Sequence, residues 1–254
     1  MKYLNRKIKK IQQLFVPLFG NSAFFMQGQM DIHPESRWFN KKLVEQTGGF
    51  NLKSDDVDRE IMPLEPWDNT RRDMLVLLLR TILQNEIPGD FVELGVYKGV
   101  TARLIHHYAS DRPLHLFDTF HGFPEKSMLA DKEIANNPIS KKLFEDTSLE
   151  EVKKMVSSRN ENVKYYPGFF PDTIPGSFKE IKFSFVHIDT DLYQPVRDGL
   201  EFFYDKMSTG GFILIHDYNA WIGARKAVDE FFKSKKEIPI PMPDKSGSAL
   251  IQKQ

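Results

Sequence analysis

The stretch Phe91-Val92-Glu93-Leu94-Gly95-Val96-Tyr97-Lys98-Gly99 decides how this chain is read. Its first four residues form a short buried strand, a glycine turn follows, and a helix runs from about Thr101 to Ala109. Glycines let a turn's backbone approach a ligand, and the helix behind it offers N–H groups that no carbonyl satisfies. Upstream, Met74, Leu75, Leu77, Leu78, Leu79, Ile82 and Leu83 predict a strongly apolar helix stopped at Ile87-Pro88-Gly89. Downstream, Leu114-His115-Leu116-Phe117 is a second strand ending at Asp118, and Ser148-x-x-Glu151 is a capping box opening a helix to about Ser157. Val163 to Tyr166, Phe183 to Ile188 and Gly211 to Ile215 are further strands, with helices of roughly 193–207 and 221–235. Ile238 to Met242 and Ser248 to Gln252 read as a final hairpin around Asp244-Lys245-Ser246-Gly247. Strands alternating with helices predict a doubly wound, Rossmann-like α/β domain with a parallel sheet and an antiparallel edge strand from the hairpin. Such sheets take ligands beyond the carboxyl ends of their strands.

The 254 residues suit one large domain, placed here at 61–254, with a polar, Pro-containing, lid-like insertion at 121–146. Residues 1–60 form an extension, partly helical, that packs on or caps that domain. Its Lys2, Arg6, Lys7, Lys9 and Lys10 precede any acid, and Leu4, Ile8, Ile11 and Phe15 fall at helical spacing. A basic amphipathic helix of that kind packs on its own domain, on a partner subunit or on an anionic membrane surface; the first is favoured. Lys+Arg and Asp+Glu both number 35, which argues against a nucleic-acid partner. There is no cysteine, so disulfides, thiolate metal sites and cysteine nucleophiles are excluded, and a cytoplasmic location is expected.

The turn is spaced G-x-x-x-G, so the dinucleotide fingerprint G-x-G-x-x-G is absent. Glu93 sits two residues before the first glycine, where a pyrophosphate would be repelled and a cationic amino group attracted. Asp118 closes the second strand, the place from which an acid accepts ribose hydroxyls. A nucleoside carrying a cation satisfies both acids, and S-adenosyl-L-methionine fits that description. A second cluster, His187-Ile188-Asp189-Thr190-Asp191-Leu192-Tyr193, and a third, Ile215-His216-Asp217-Tyr218, stand at the ends of later strands. If those strands are neighbours, Asp189 and Asp217 meet and need a cation between them, for which Mg²⁺ or another divalent metal is the natural choice. The competing reading makes each aspartate a helix N-cap.

Taken in order, these motifs resemble the macrocin O-methyltransferase family of class I S-adenosylmethionine enzymes. The resemblance runs through residues 88–99, then Phe117-Asp118-Thr119-Phe120-His121-Gly122-Phe123-Pro124, then Gly168-Phe169-Phe170-Pro171-Asp172-Thr173-Ile174-Pro175. It continues through residues 187–193, residues 210–218 and residues 223–231. It implies a seven-stranded methyltransferase sheet with the last strand antiparallel, and methyl transfer to a hydroxyl, often on a sugar. The implied cofactor set is Glu93, Gly95, Val96, Tyr97, Gly99, Thr101, Asp118, Thr119, Gly168, Phe169 and Asp189. The implied metal ligands are Asp189 and Asp217, with His216, which stands where the family carries the first acid of an Asp-Asp pair, as a third candidate. Imidazole is a poor ligand for Mg²⁺. The resemblance suggests Asp191 as general base, with His187 and His216 as alternatives because imidazole titrates near neutrality. The rival readings are a metal-independent methyltransferase on another small-molecule or lipid-linked acceptor, and a non-catalytic membrane-associated binding protein. A homo-oligomer is also compatible with the family.

Overall fold

A computed structural model describes residues 68–135, 143–156 and 162–254 of the chain. The expectations for residues 1–60 lie outside the described residues. The elements run α1 (Asn69–Gln84), β1 (Asp90–Leu94), α2 (Val100–Tyr108), β2 (Leu114–Asp118), α3 (Glu125–Ala135) and α4 (Leu149–Val156). They continue with β3 (Val163–Pro167), β4 (Phe183–Ile188), α5 (Tyr193–Phe203), β5 (Met207–Ile215), α6 (Ile222–Phe232), β6 (Ile240–Pro241) and β7 (Ala249–Gln252). The sheet has seven strands in the order β3-β2-β1-β4-β5-β7-β6. The pairings among β1 to β5 are parallel, and β7 is antiparallel to both β5 and β6.

Strands buried on both faces need no polar alternation, and β4 is apolar or buried throughout, Ser184 and His187 included. Side chains alternate between two cores: Phe91, Phe185, Phe212 and Leu214 pack under α1, α2 and α4, while Val92, Val186, Ile213 and Ile215 pack under α5 and α6. Helix α1 contributes Leu75, Val76, Leu79 and Ile82, each fully buried. No helix among the described residues is long and apolar enough to cross a membrane.

Three elements differ from the sequence expectation. Helix α5 ends at Phe203, a short 3-10 turn covers Tyr204–Lys206, and β5 begins at Met207 rather than near Gly211. The cause is a bulge: Phe183 pairs with Met207 and Phe185 with Phe212, so the four residues Ser208, Thr209, Gly210 and Gly211 stand opposite Ser184 alone. A Cβ on Gly211 would stand 2.7 Å from the Ser184 carbonyl, which is why a glycine pair occurs there. The hairpin's first strand shrinks to Ile240–Pro241, both exposed, because proline cannot donate to a ladder and tolerates only an edge. Finally, the polar stretch expected as a lid contains a docked helix. Asp131 of α3 is buried and accepts the Tyr193 N–H at 2.7 Å, capping α5 in place of Leu192, whose side chain has no acceptor.

Candidate active site

A cavity of about 290 Å³ opens beyond the carboxyl ends of β1, β2, β4 and β5. One half is made chiefly by backbone. Gly95 has φ +89°, and a Cβ there would lie 2.0 Å from the Asp189 carbonyl oxygen, so the β1 turn can pass β4 only as glycine. Asp118 holds this turn in place. Its Oδ2 accepts the N–H groups of Val96 at 2.6 Å and Tyr97 at 2.9 Å, and its Oδ1 accepts the Phe120 N–H at 2.6 Å. A carboxylate oxygen has two strong acceptor positions. Oδ2 is therefore filled; the Thr119 hydroxyl, 3.4 Å from Oδ1, has its one proton on the Gly122 carbonyl at 2.7 Å, so Oδ1 is the oxygen with room for a further donor. Gly168, Phe169 and Phe170 line the same half, while Phe123 and Phe144 form an aromatic wall whose rings lie 5.1 Å apart.

The other half is built from charged side chains. Asp189 follows β4, and its Oδ2 takes Nη2 of Arg71 at 2.5 Å while its Oδ1 takes Nδ1 of His216 at 2.9 Å. The same Nδ1 lies 2.9 Å from Oδ2 of Asp217, and Nε2 of His216 faces Oδ2 of Asp244 at 3.8 Å. Burial pulls the His216 pKa down, but Asp189 and Asp217 outweigh it and raise it to about 10, so the ring is an imidazolium. Burial pushes Asp189 up, yet Arg71 and His216 hold it well below the usual carboxylate range. Asp191 goes the other way: burial, then the hydrogen bond to Asp217 and the nearby Asp189 charge, push it well above that range. Both Asp191 and Asp217 adopt the left-handed backbone conformation, at φ +59° each.

Of the residues singled out from sequence, Gly95, Tyr97, Asp118, Thr119, Gly168, Phe169, Asp189, Asp191, His216 and Asp217 all line this one cavity. Val96 contributes a turn N–H to Asp118, and Gly99 starts α2 at φ +79°. Glu93, Thr101 and His187 do not line the cavity. Glu93 is 1% exposed and meets Nδ1 of His187 at 2.9 Å. Burial, then the Arg71 charge, lower the His187 pKa to about 3, which leaves it a neutral prop with Nε2 3.4 Å from Arg71. Arg71 was missed. It sits outside every motif, on a helix read for its apolar residues, and no local spacing in the sequence links it to Asp189.

The donor atoms of Asp189, His216 and Asp217 lie within 4.8 Å of one another, close enough to share a cation. In this arrangement the set does not suit Mg²⁺. Both oxygens of Asp189 are already taken, by Arg71 and by His216, and Nδ1 of His216, 2.9 Å from a carboxylate oxygen of Asp189 and of Asp217, serves as their donor and is no free ligand atom.

Comparison with known proteins adds an independent observation. The family model for macrocin O-methyltransferase (TylF) matches residues 52–250. An 8-demethyl-8-(2,3-dimethoxy-alpha-L-rhamnosyl)-tetracenomycin-C 4'-O-methyltransferase of Streptomyces olivaceus is 30% identical over 192 residues, 71% of this chain and 72% of that protein. A demethyldecarbamoylnovobiocin O-methyltransferase of Streptomyces niveus is 31% identical over 161 residues, 59% of this chain and 60% of that protein. The solved structure of the O-methyltransferase NovP superposes with a TM-score of 0.63 at 27% identity, covering 73% of this chain and 80% of that one.

Proposed function

This chain belongs to the macrocin O-methyltransferase family, and we propose that it moves the methyl group of S-adenosylmethionine to a hydroxyl on the sugar of a glycosylated natural product. The S-adenosylmethionine-dependent O-methyltransferase activity is the family's. The sugar acceptor is supported by the rhamnosyl group that the Streptomyces olivaceus relative carries in its name. One observation carries the reading: a single cavity joins a backbone-built half, suited to a nucleoside, to a carboxylate-rich half suited to a hydroxyl.

The chemistry is an in-line displacement. The acceptor oxygen attacks the methyl carbon, the sulfur–methyl bond breaks, the sulfonium becomes a neutral thioether, and the hydroxyl proton leaves. The protein must hold oxygen and methyl about 3 Å apart and take that proton. Oδ1 of Asp118 accepts a ribose hydroxyl, Gly95 and Tyr97 bound the methionine part, and Gly168 and Phe169 cover the adenine. Asp191 is the base. Its environment raises its proton affinity, so the ionised carboxylate is a stronger acceptor than an exposed aspartate. His187 lies outside the cavity and His216 already carries both protons, so neither competes for this role.

Calorimetric titration of S-adenosylhomocysteine into the purified chain, with NAD as control, tests the cofactor half. Micromolar binding of the homocysteine nucleoside alone is expected. A chain that bound neither compound would lose this reading.

A further inference from the structure

We propose that Arg71, seated on Asp189, is the fixed cation of the acceptor half, taking the place that a divalent metal would otherwise fill. The inference rests on the methyltransferase reading and concerns how that site balances its charge.

Three observations support it. First, the guanidinium is placed by construction and does not merely reach the site. Asp68 caps α1 by accepting the Arg71 N–H on Oδ1 at 3.0 Å, and its Oδ2 accepts the Lys245 N–H at 2.8 Å from the β6–β7 loop. Arg71 thereby stands at the third position of α1, tied to the hairpin beside the cavity. Second, that position opposes the helix. A cation in the first turn meets the positive end of the helix dipole, at a typical cost of about 0.3–1 kcal/mol, so α1 gains nothing from arginine here. The compensation is Asp189, whose side chain is 21% exposed against 9% for Arg71, with Nε2 of His187 3.4 Å from the guanidinium. Third, Arg71 lines the cavity together with Asp189, Asp191, His216 and Asp217.

A guanidinium in this position can do what the acceptor half requires of a cation. It keeps Asp189 ionised and oriented, and it presents positive charge to the acceptor oxygen as its proton departs to Asp191. A donor already held in place needs little reorganisation as charge develops. Arg71 is a positioning residue on this account, and its loss is felt first in the carboxylates.

Paramagnetic resonance of Mn²⁺ titrated into the full-length chain, cleared of metal with EDTA, reads the site without any acceptor. Free Mn²⁺ signal is expected to persist undiminished at millimolar metal, and S-adenosylhomocysteine affinity to agree within twofold with EDTA and with Mg²⁺. One Mn²⁺ bound per wild-type chain at micromolar affinity and displaced by Mg²⁺ would overturn the proposal. The double variant Arg71→Met with His216→Asp removes the guanidinium and puts a carboxylate in place of the imidazole, and it is expected to gain one Mn²⁺ site. If it still bound S-adenosylhomocysteine as wild type does yet acquired no Mn²⁺ site, Arg71 would not be the group standing in the metal's place. Failure of wild type to bind S-adenosylhomocysteine would count against the methyltransferase reading alone, because the Mn²⁺ signal does not depend on it.

Discussion

The two halves of the cavity are held by different forces. On the nucleoside side, one carboxylate, Asp118, gathers three backbone N–H groups, and Gly95 admits a crossing that no other side chain permits. On the acceptor side, backbone contributes little, and Arg71, His216, Asp189, Asp191 and Asp217 hold one another by charge. The first half is held by backbone groups at the ends of neighbouring strands. The second is assembled from three distant segments and depends on which groups carry protons.

This contrast can be broken most severely at Gly95. Gly95→Ala places a Cβ against the Asp189 backbone at a left-handed φ, and a stability loss of at least about 3 kcal/mol is expected, seen as a lowered melting temperature. Because the collision is with the segment bearing Asp189, both halves should fail together. A variant that kept its stability would mean the halves are less interlocked than the geometry indicates.

Asp191→Asn separates them. Methyl transfer should fall by about 10²–10⁴-fold, the usual contribution of a positioned base, with S-adenosylhomocysteine affinity unchanged. In wild type the rate should rise with pH above the ordinary carboxylate range as Asp191 loses its proton, and the variant's profile should be flat there. A profile that still rose in the variant would assign the base elsewhere.

The reverse separation comes from Asp118→Asn. The amide leaves one of the three N–H donors facing another donor, so S-adenosylhomocysteine binding should weaken by about 10- to 100-fold, on the order of 1–3 kcal/mol. The Asp191-dependent pH limb should survive in whatever activity remains. Its disappearance would show the two halves to be coupled.

The last prediction tests helix α3, whose Asp131 caps α5. Burial raises the Asp131 pKa to about 6, above its unfolded value of 3.8. A raised acid stabilises the fold fully below the unfolded value and loses that contribution as pH rises through the folded value. Asp131→Asn keeps an acceptor for the Tyr193 N–H without the buried charge. It should therefore gain about 1–3 kcal/mol over wild type at pH 8 and little at pH 4, measured by denaturant unfolding. An equal effect at both values would remove ionisation as the cause.

How much of this was legible beforehand follows the same division. The strand–turn–helix at residues 91–99, Asp118 at the end of β2, and the clusters at residues 187–193 and 215–218 were readable because the residues of each act within one short segment. The β5 bulge was not, since Gly210 and Gly211 look like a strand start until their pairing with Phe183 and Phe185 is known. Asp131 as a cap for α5 was equally hidden, because the residue it serves lies 62 positions away.

The alternation of short apolar strands with helices determined the doubly wound sheet, and the ordered motifs carried the resemblance to the family, because each of these is written in neighbouring residues. Only the tertiary structure decided the electrostatics of the acceptor half. Arg71 reaches Asp189 across 118 residues, and a charge pair between side chains on separate elements leaves no periodic trace in either segment. Whether a strand-end aspartate holds a proton, a guanidinium or a metal is therefore settled by what the fold brings against it.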